Sequence, residues 1–253
     1  MSEVYYICAL DDRKWIEFLN FTGQSVWEKK DGIVSFDSRW VLVGNDDKFT
    51  GIGEKYDYGF KVLSERFVLK DRDIIVFIHQ DIRFDRTLAE EKIKKTFAEH
   101  ENLRVLGVYG TEVWNGGGWW NTNREKSSHG QIIQTNNGKP FLSKHQSGFY
   151  DNLVCVDGCF LCSTVQNVRE VGWGGSVSGW HQYDNDFCFR TLVNTDGDVG
   201  VFDLVVEHRS GGEPNEEWAK QSNKIVDWFK SIGMKSPITK EHINEWKTKT
   251  RSE

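Results

Sequence analysis

Proline occurs three times in 253 residues, so it marks few boundaries, and no internal repeat divides the chain. Long hydrophobic runs are missing as well. None approaches the roughly 20 residues that span a bilayer, so no transmembrane segment is expected. The opening stretch, "MSEVYYICALDDRKW", lacks the basic start and extended apolar core of a secretory signal. Cysteines number five and therefore do not all pair: Cys8, Cys155, Cys159, Cys162 and Cys188 sit in apolar contexts. "CVDGCFLC" groups three of them, yet no further CxxC stands elsewhere to complete a zinc site. Buried free thiols are the expectation, and with them a reducing cytoplasm. A basic excess is also absent. The formal net charge of −6 weighs against a large nucleic-acid footprint, although "KIKK" and the Lys-rich C-terminus leave room for a local basic patch.

What is present is the balance of a soluble globular protein, with 38% hydrophobic and 28% charged residues. The length suits one large domain or two small ones with a substantial core. The 11 Trp and 16 Phe are many for this size. Aromatic surplus fills cores more often than it lines sugar or base pockets.

Along the chain, strand-like and helix-like segments alternate. "EVYYICAL" reads as a strand and "RKWIEFLNFTG" has helical spacing ending near Gly23. "SRWVLVGNDD" is a strand ending on Asp46 and Asp47, and "EKYDYGFKVLSERF" an amphipathic helix. The run "DIIVFIHQD" has five uninterrupted apolar residues, the mark of a strand buried on both faces. "TLAEEKIKKTFAEH" is an amphipathic helix with acids early and lysines late, which suits its dipole. "LRVLGVYG" is again a strand. Such alternation implies crossover units and a mainly parallel sheet. After Thr111 comes a long Gly-, Asn- and Trp-rich stretch that reads as an ordered loop, then the strands "QIIQTN" and "NLVCVDGCFLCST". "GWGGSVSGWHQYDNDFCFRTL" passes from a Gly-rich loop into a helix, and "VGVFDLVVEH" is a strand ending on His208. Two helical stretches and a charged tail follow Glu213.

In open α/β sheets ligands bind beyond the carboxyl ends of the strands. The first two strands deliver Asp11 and Asp46 or Asp47 there, the apolar run delivers His79 and Asp81, and "VVEH" delivers His208 if it runs in the same sense. Aspartate and histidine suit a divalent cation with open positions for phosphate oxygens. Singly, each of these residues is more simply a turn-capping Asp or a surface His; their co-occurrence points to a site. Asp184 and Asp186 lie near a helix start, where the dipole favours carboxylates. One reading is an N-cap and the other a base taking a proton from a hydroxyl.

Three blocks, "DIIVFIHQDIRF", "VDGCFLCS" and "GWHQYDNDFCFR" with "VEHRSGG" after it, resemble the GT-A type glycosyltransferases of the family 2 kind. The nearest likeness is to a bacterial and phage-associated subgroup with an HxD-like variant of the DxD motif. It covers roughly residues 1 to 212 and implies a Rossmann-like, mainly parallel α/β sheet flanked by helices, a GT-A domain over 1–212, with a C-terminal helical extension over 213–253. It implies Asp81 and His208 as ligands of Mn²⁺ or Mg²⁺, with His79 beside them at the metal or the ribose. It further implies Asp184 as the general base of an inverting enzyme and Asp186 as structural. Donor-binding positions follow at Asp46 or Asp47, Asp157, Gly158 and His181. Trp119 and Trp120 stack on a sugar or pack their loop, and "GWGGSVSGW" resembles a lid. Tyr183 stands where the family's Glu is expected, and His79 replaces an Asp.

The expected activity is transfer of a sugar from a UDP- or GDP-sugar to a hydroxyl. The acceptor is a glycan, a lipid-linked sugar, a protein, or a hydroxylated DNA base, nucleic acid entering only in that last form. A non-catalytic nucleotide-sugar-binding module of the same fold is the alternative, and a metal-dependent hydrolase a third reading.

Overall fold

The computed structural model describes residues 2–11, 28–30, 33–35, 39–44, 46–116, 127–136, 139–146, 148–175, 177–209 and 214–252, with 28–30, 33–35, 46 and 136 by backbone alone. The first strand is β1 (Val4–Ala9), followed by the short β2 (Glu28–Lys30) and β3 (Ile33–Ser35), then β4 (Trp40–Val43). A 3-10 turn at Asp46–Lys48 leads to α1 (Ile52–Arg66), β5 (Ile74–His79), β6 (Ile82–Arg83) and α2 (Arg86–Glu99). Next come β7 (Leu103–Gly107), β8 (Tyr109–Thr111), β9 (Val113–Trp114), β10 (Ser128–Asn136) and β11 (Lys139–His145). The second half carries β12 (Cys155–Val156), β13 (Phe160–Thr164), α3 (Val165–Val171), α4 (Tyr183–Asn194), β14 (Asp198–Val201) and β15 (Glu207–His208). It ends with α5 (Glu216–Ser231), β16 (Ile238–Thr239) and α6 (Lys240–Thr250).

The main sheet has the order β14-β7-β13-β5-β1-β4-β3-β2. Strands β14, β7, β5, β1 and β4 run the same way, and β13 is antiparallel between β7 and β5. The expected mainly parallel α/β sheet, Rossmann-like and of GT-A type, is what forms. Its central strands are apolar without interruption because both faces are covered. Tyr5, Ile7, Ile75 and Phe77 enter one core with Tyr56 and Leu63 of α1 and Phe187 and Phe189 of α4. Their neighbours in the chain, Val4, Tyr6, Ile74 and Val76, enter a second core with Ala89 and Ile93 of α2. The period of two along each strand divides the residues between them.

A second, smaller sheet, β12-β8-β10-β15-β6, stands beside the carboxyl ends of the main one, with β11 added to β10. It corrects the reading of "VGVFDLVVEH" as one strand. β14 belongs to the main sheet and β15 to the second, with buried Phe202, Leu204 and Val206 between or beside them. "NLVCVDGCFLCST" is likewise two strands, β12 and β13, broken at the Asp157–Gly158 turn. The segment 13–23, expected to be helical, lies outside the described residues.

Helices α5 and α6 pack into the first core rather than standing off it. Ile225 and Phe229 of α5 and Ile243 of α6 share that cluster with Trp114. Phe229 meets Phe189 with ring centroids 4.9 Å apart, and β16 pairs with β9. Two of the C-terminal lysines and Arg251 meet acids in β14 or the turn before it. Lys240 lies 2.8 Å from Asp198, Lys247 3.5 Å from Asp196, and Arg251 2.7 Å from Asp196. Among the described residues no helix is long and apolar enough to cross a membrane.

Candidate active site at the carboxyl ends of the strands

Three segments meet where the parallel strands end. The first is the end of β5. His79 is its last residue, and its backbone N–H donates to the Cys159 carbonyl at 3.1 Å, fastening the end of β5 to the turn before β13. Gln80 ties the neighbouring strand end, its side-chain oxygen accepting from Asp11 N–H at 2.6 Å. Asp81 follows at the β5–β6 corner.

The second segment is β15. It pairs antiparallel with β6 so that His208 stands opposite Ile82, and Arg209 N–H donates to the Asp81 carbonyl at 3.2 Å. This register sets His208 against Asp81, with Nε2 3.5 Å from Oδ1. The rings of His79 and His208 lie 5.5 Å apart. One ligand atom from each of His79, Asp81 and His208 falls within 4.8 Å of the other two. The expected convergence of Asp81, His208 and His79 is therefore met in geometry. Burial and the charge of nearby His208 push the His79 pKa down to about 4, so at neutral pH it is the uncharged form that coordinates cations. For His208 burial opposes the charge, but the Asp81 carboxylate more than offsets this and raises its pKa. Two imidazoles and one carboxylate fit a divalent cation.

The third segment is the start of α4. Gln182, its N-cap, adopts φ 61°, in the left-handed region that few non-glycine residues take. Asn185 donates from its side-chain amide to the Gln182 side-chain oxygen at 2.6 Å. Asp184 sits in the first turn, where the helix dipole favours a carboxylate. Its two oxygens accept from the N–H of Gly158 and of Asn185, each at 2.9 Å. Burial, then the nearby charge of Asp157, push its pKa up to about 7 despite these two bonds. Gly158 is needed for this approach: a Cβ there would lie 2.5 Å from the Tyr183 hydroxyl and 2.7 Å from Asp184 Cβ. Asp157 is pinned in the same turn, accepting from Cys159 N–H at 2.9 Å.

Tyr183 closes the circuit. Its hydroxyl is hydrogen-bonded to Nε2 of His79, so the residue that departs from the resembled Glu joins the α4 start to the β5 end. Asp186 is buried and held by Arg190 at 2.8 Å. Arg190 also donates to the carbonyls of Val171 and Gly172.

Other expected positions fare differently. Asp47 is exposed on the 3-10 turn after β4, and only the backbone of Asp46 is described. His181 is half-buried; burial lowers its pKa, while the Glu217 charge of α5 opposes that shift. It is not part of the His79–Asp81–His208 cluster. Trp119 and Trp120 lie outside the described residues. The segment resembling a lid is fastened at both ends. Trp173 is buried with its backbone N–H donating to Asp57 at 3.1 Å, and Ile52 N–H donates to the Gly179 carbonyl at 3.1 Å. Gln221 of α5 donates to the Ser178 carbonyl.

Sequence reading passed over Lys55 and Tyr56. Lys55 is 1% exposed and donates to the Leu10 carbonyl at 2.7 Å, with its ammonium 5.0 Å from the Trp180 ring. The signal was present: Lys55 stands in phase with Gly59, Val62 and Leu63, the buried face of α1. A charged residue on an apolar stripe is the informative exception. Tyr56 is fully buried against Trp173 and Tyr183, at 4.9 and 5.9 Å between rings.

Comparison with known proteins adds the following. No curated protein matches the chain. Solved structures that resemble it in outline include the following two. The crystal structure of A197 from STIV is 11% identical over 83% of this chain and 87% of that one, with a TM-score of 0.43. The inositol-1-phosphate CTP transferase from T. maritima is 15% identical over 89% of this chain and 78% of that one, with a TM-score of 0.37. At such scores neither bears on the chemistry. A family model described as "Glycosyltransferase like family" matches residues 65–226, more than half of the chain. His79, Asp81, Asp157, Asp184 and His208 all fall within that span, and the chain belongs to this glycosyltransferase-like family.

Proposed function

We propose that the protein is a metal-dependent, inverting transferase that moves a sugar from a UDP- or GDP-sugar to a hydroxyl acceptor. The observation that carries this reading is the His79–Tyr183 hydrogen bond, which sets a His–Asp–His cluster beside the helix start holding Asp184, a carboxyl that burial and Asp157 push up to about 7. His79, Asp81 and His208 would hold a divalent cation, Mn²⁺ or Mg²⁺, which when bound neutralises charge on a diphosphate leaving group.

The rest is the work of the chain itself. Asp184 accepts the proton of the acceptor hydroxyl, and a pKa near neutrality suits a base that must be free at working pH yet able to take a proton. The two backbone N–H donors from Gly158 and Asn185 fix the plane of its carboxylate. Attack from the face opposite the leaving group inverts the anomeric centre. Asp157 and Gly158 carry donor contacts from the β12–β13 turn, and the 1–212 segment holds the catalytic parts. The C-terminal 213–253 segment buttresses α4 through Phe229 and Phe189. Glycan, lipid-linked sugar, protein and hydroxylated DNA base remain the acceptor classes.

The test is turnover of a panel of UDP- and GDP-sugars with Mn²⁺ and hydroxyl acceptors. Asp184→Asn is expected to lower kcat by about 10²–10⁴, the usual range for loss of a positioned base. Equal rates for the two proteins would refute the assignment. Donor binding without any turnover would make the protein a binding module, and cleavage indifferent to acceptor would make it a hydrolase.

A further inference from the structure

We propose that Tyr183 is a positioning residue for the cation, accepting the Nε2–H of His79 and so leaving Nδ1 of that ring bare for the metal. The proposal rests on the cation reading above and adds a residue to it. A neutral imidazole carries one proton, and the hydrogen bond made by one nitrogen decides which nitrogen is free to ligate. At His79 the Nε2 atom is taken by the Tyr183 hydroxyl. A phenol oxygen can accept that N–H without adding a negative charge beside Asp157 and Asp184.

The hydroxyl is itself held in place. Tyr183 is 6% exposed, begins α4, and packs its ring against Tyr56 and Trp173 at 5.9 and 6.0 Å. Gly158 lies beneath it so closely that a Cβ would sit 2.5 Å from the hydroxyl oxygen. The same glycine donates its N–H to Asp184. Gly158 and the α4 start thus hold the orienting group for the cation side and the base in a single unit. This gives a physical reason for tyrosine where the family resemblance expects glutamate. A phenol reaches His79 and accepts a hydrogen bond from its Nε2–H, whereas another carboxylate would add charge to a turn that already holds two.

The test uses the full chain and reads Mn²⁺ affinity by electron paramagnetic resonance, without substrate. Tyr183→Phe removes one oxygen and keeps the ring that packs against Tyr56 and Trp173. Loss of such an orienting partner is expected to weaken Mn²⁺ binding about 10- to 100-fold. In a His79→Ala background the same substitution is expected to change nothing further, because there is no ring left to orient. Nitrogen-15 NMR of His79 is expected to report the Nε2–H tautomer in the wild type and a mixture in Tyr183→Phe. Unchanged affinity in Tyr183→Phe would overturn the proposal, as would an equal weakening with and without His79. Absence of Mn²⁺ binding by the wild type would instead overturn the cation reading itself, and this inference with it.

Discussion

Asp184→Asn should change the pH dependence of stability in a direction fixed by the site. An ordinary aspartate in an unfolded chain titrates near about 3.9, whereas in the folded protein the Asp184 carboxyl is pushed up to about 7 by burial and by Asp157. The folded state therefore holds this proton more tightly than the unfolded state does. Stability from this group is greatest in acid and is lost as the pH rises through about 7, because the chain must then bury an ionised carboxylate. Roughly two pH units of that range lie above pH 5, equivalent to about 3 kcal/mol if the group were wholly dry. Asp184 keeps part of its surface exposed, which reduces the figure to roughly 2 kcal/mol. Asparagine does not titrate. It has one oxygen where two backbone N–H groups now find one each, a pH-independent cost of about 1–3 kcal/mol. Urea unfolding in a chelator, from about pH 5 to about pH 8, should show the variant gaining on the wild type by roughly 2 kcal/mol. Parallel stability curves would mean that Asp184 is ionised throughout, and the pKa that suits it to act as a base would be wrong.

Two further substitutions probe the scaffold. Gly158→Ala places a methyl 2.5 Å from the Tyr183 hydroxyl and 2.7 Å from Asp184 Cβ. Urea melts should reveal a loss of about 1–3 kcal/mol together with weaker Mn²⁺ binding; a variant as stable as the wild type would contradict the close approach. Phe229→Ala opens a cavity between α5, Trp114 and Phe189, and thermal or urea unfolding should register about 3–5 kcal/mol. A loss under about 1 kcal/mol would mean that the C-terminal helices are not part of the first core.

The central sheet was legible because its strands are buried on both sides and therefore carry no polar alternation. "IIVFI" has no other economical reading, and the polar triplet "HQD" after it marks the strand end. His208 was legible as a residue but not as a position. The mostly apolar segment from Val199 to Val206, interrupted at Asp203, hides a change of sheet, since Phe202 and Leu204 are as buried as the strands on either side. The Asp157–Gly158 break carried an ordinary turn signal that the flanking apolar residues masked. Lys55 betrayed itself only by its phase on α1. Tyr183 announced a departure from the resembled pattern but not its contact, because His79 is 104 residues away and no local rule joins them. The Gly158 contact likewise depends on tertiary approach, whereas the helix start that favours Asp184 was legible locally. Asp46 and Asp47 illustrate the converse: a strand end with two acids suggested a ligand, yet Asp47 faces solvent.

The most direct test of the metal-site reading is phosphorus-31 relaxation of UDP or GDP titrated with the protein and Mn²⁺. Strong broadening of the diphosphate phosphorus signals is expected with the wild type, and its loss with Asp81→Asn and with His208→Ala at equal concentrations. Broadening that persists undiminished in both variants would place the cation somewhere other than the His79–Asp81–His208 cluster.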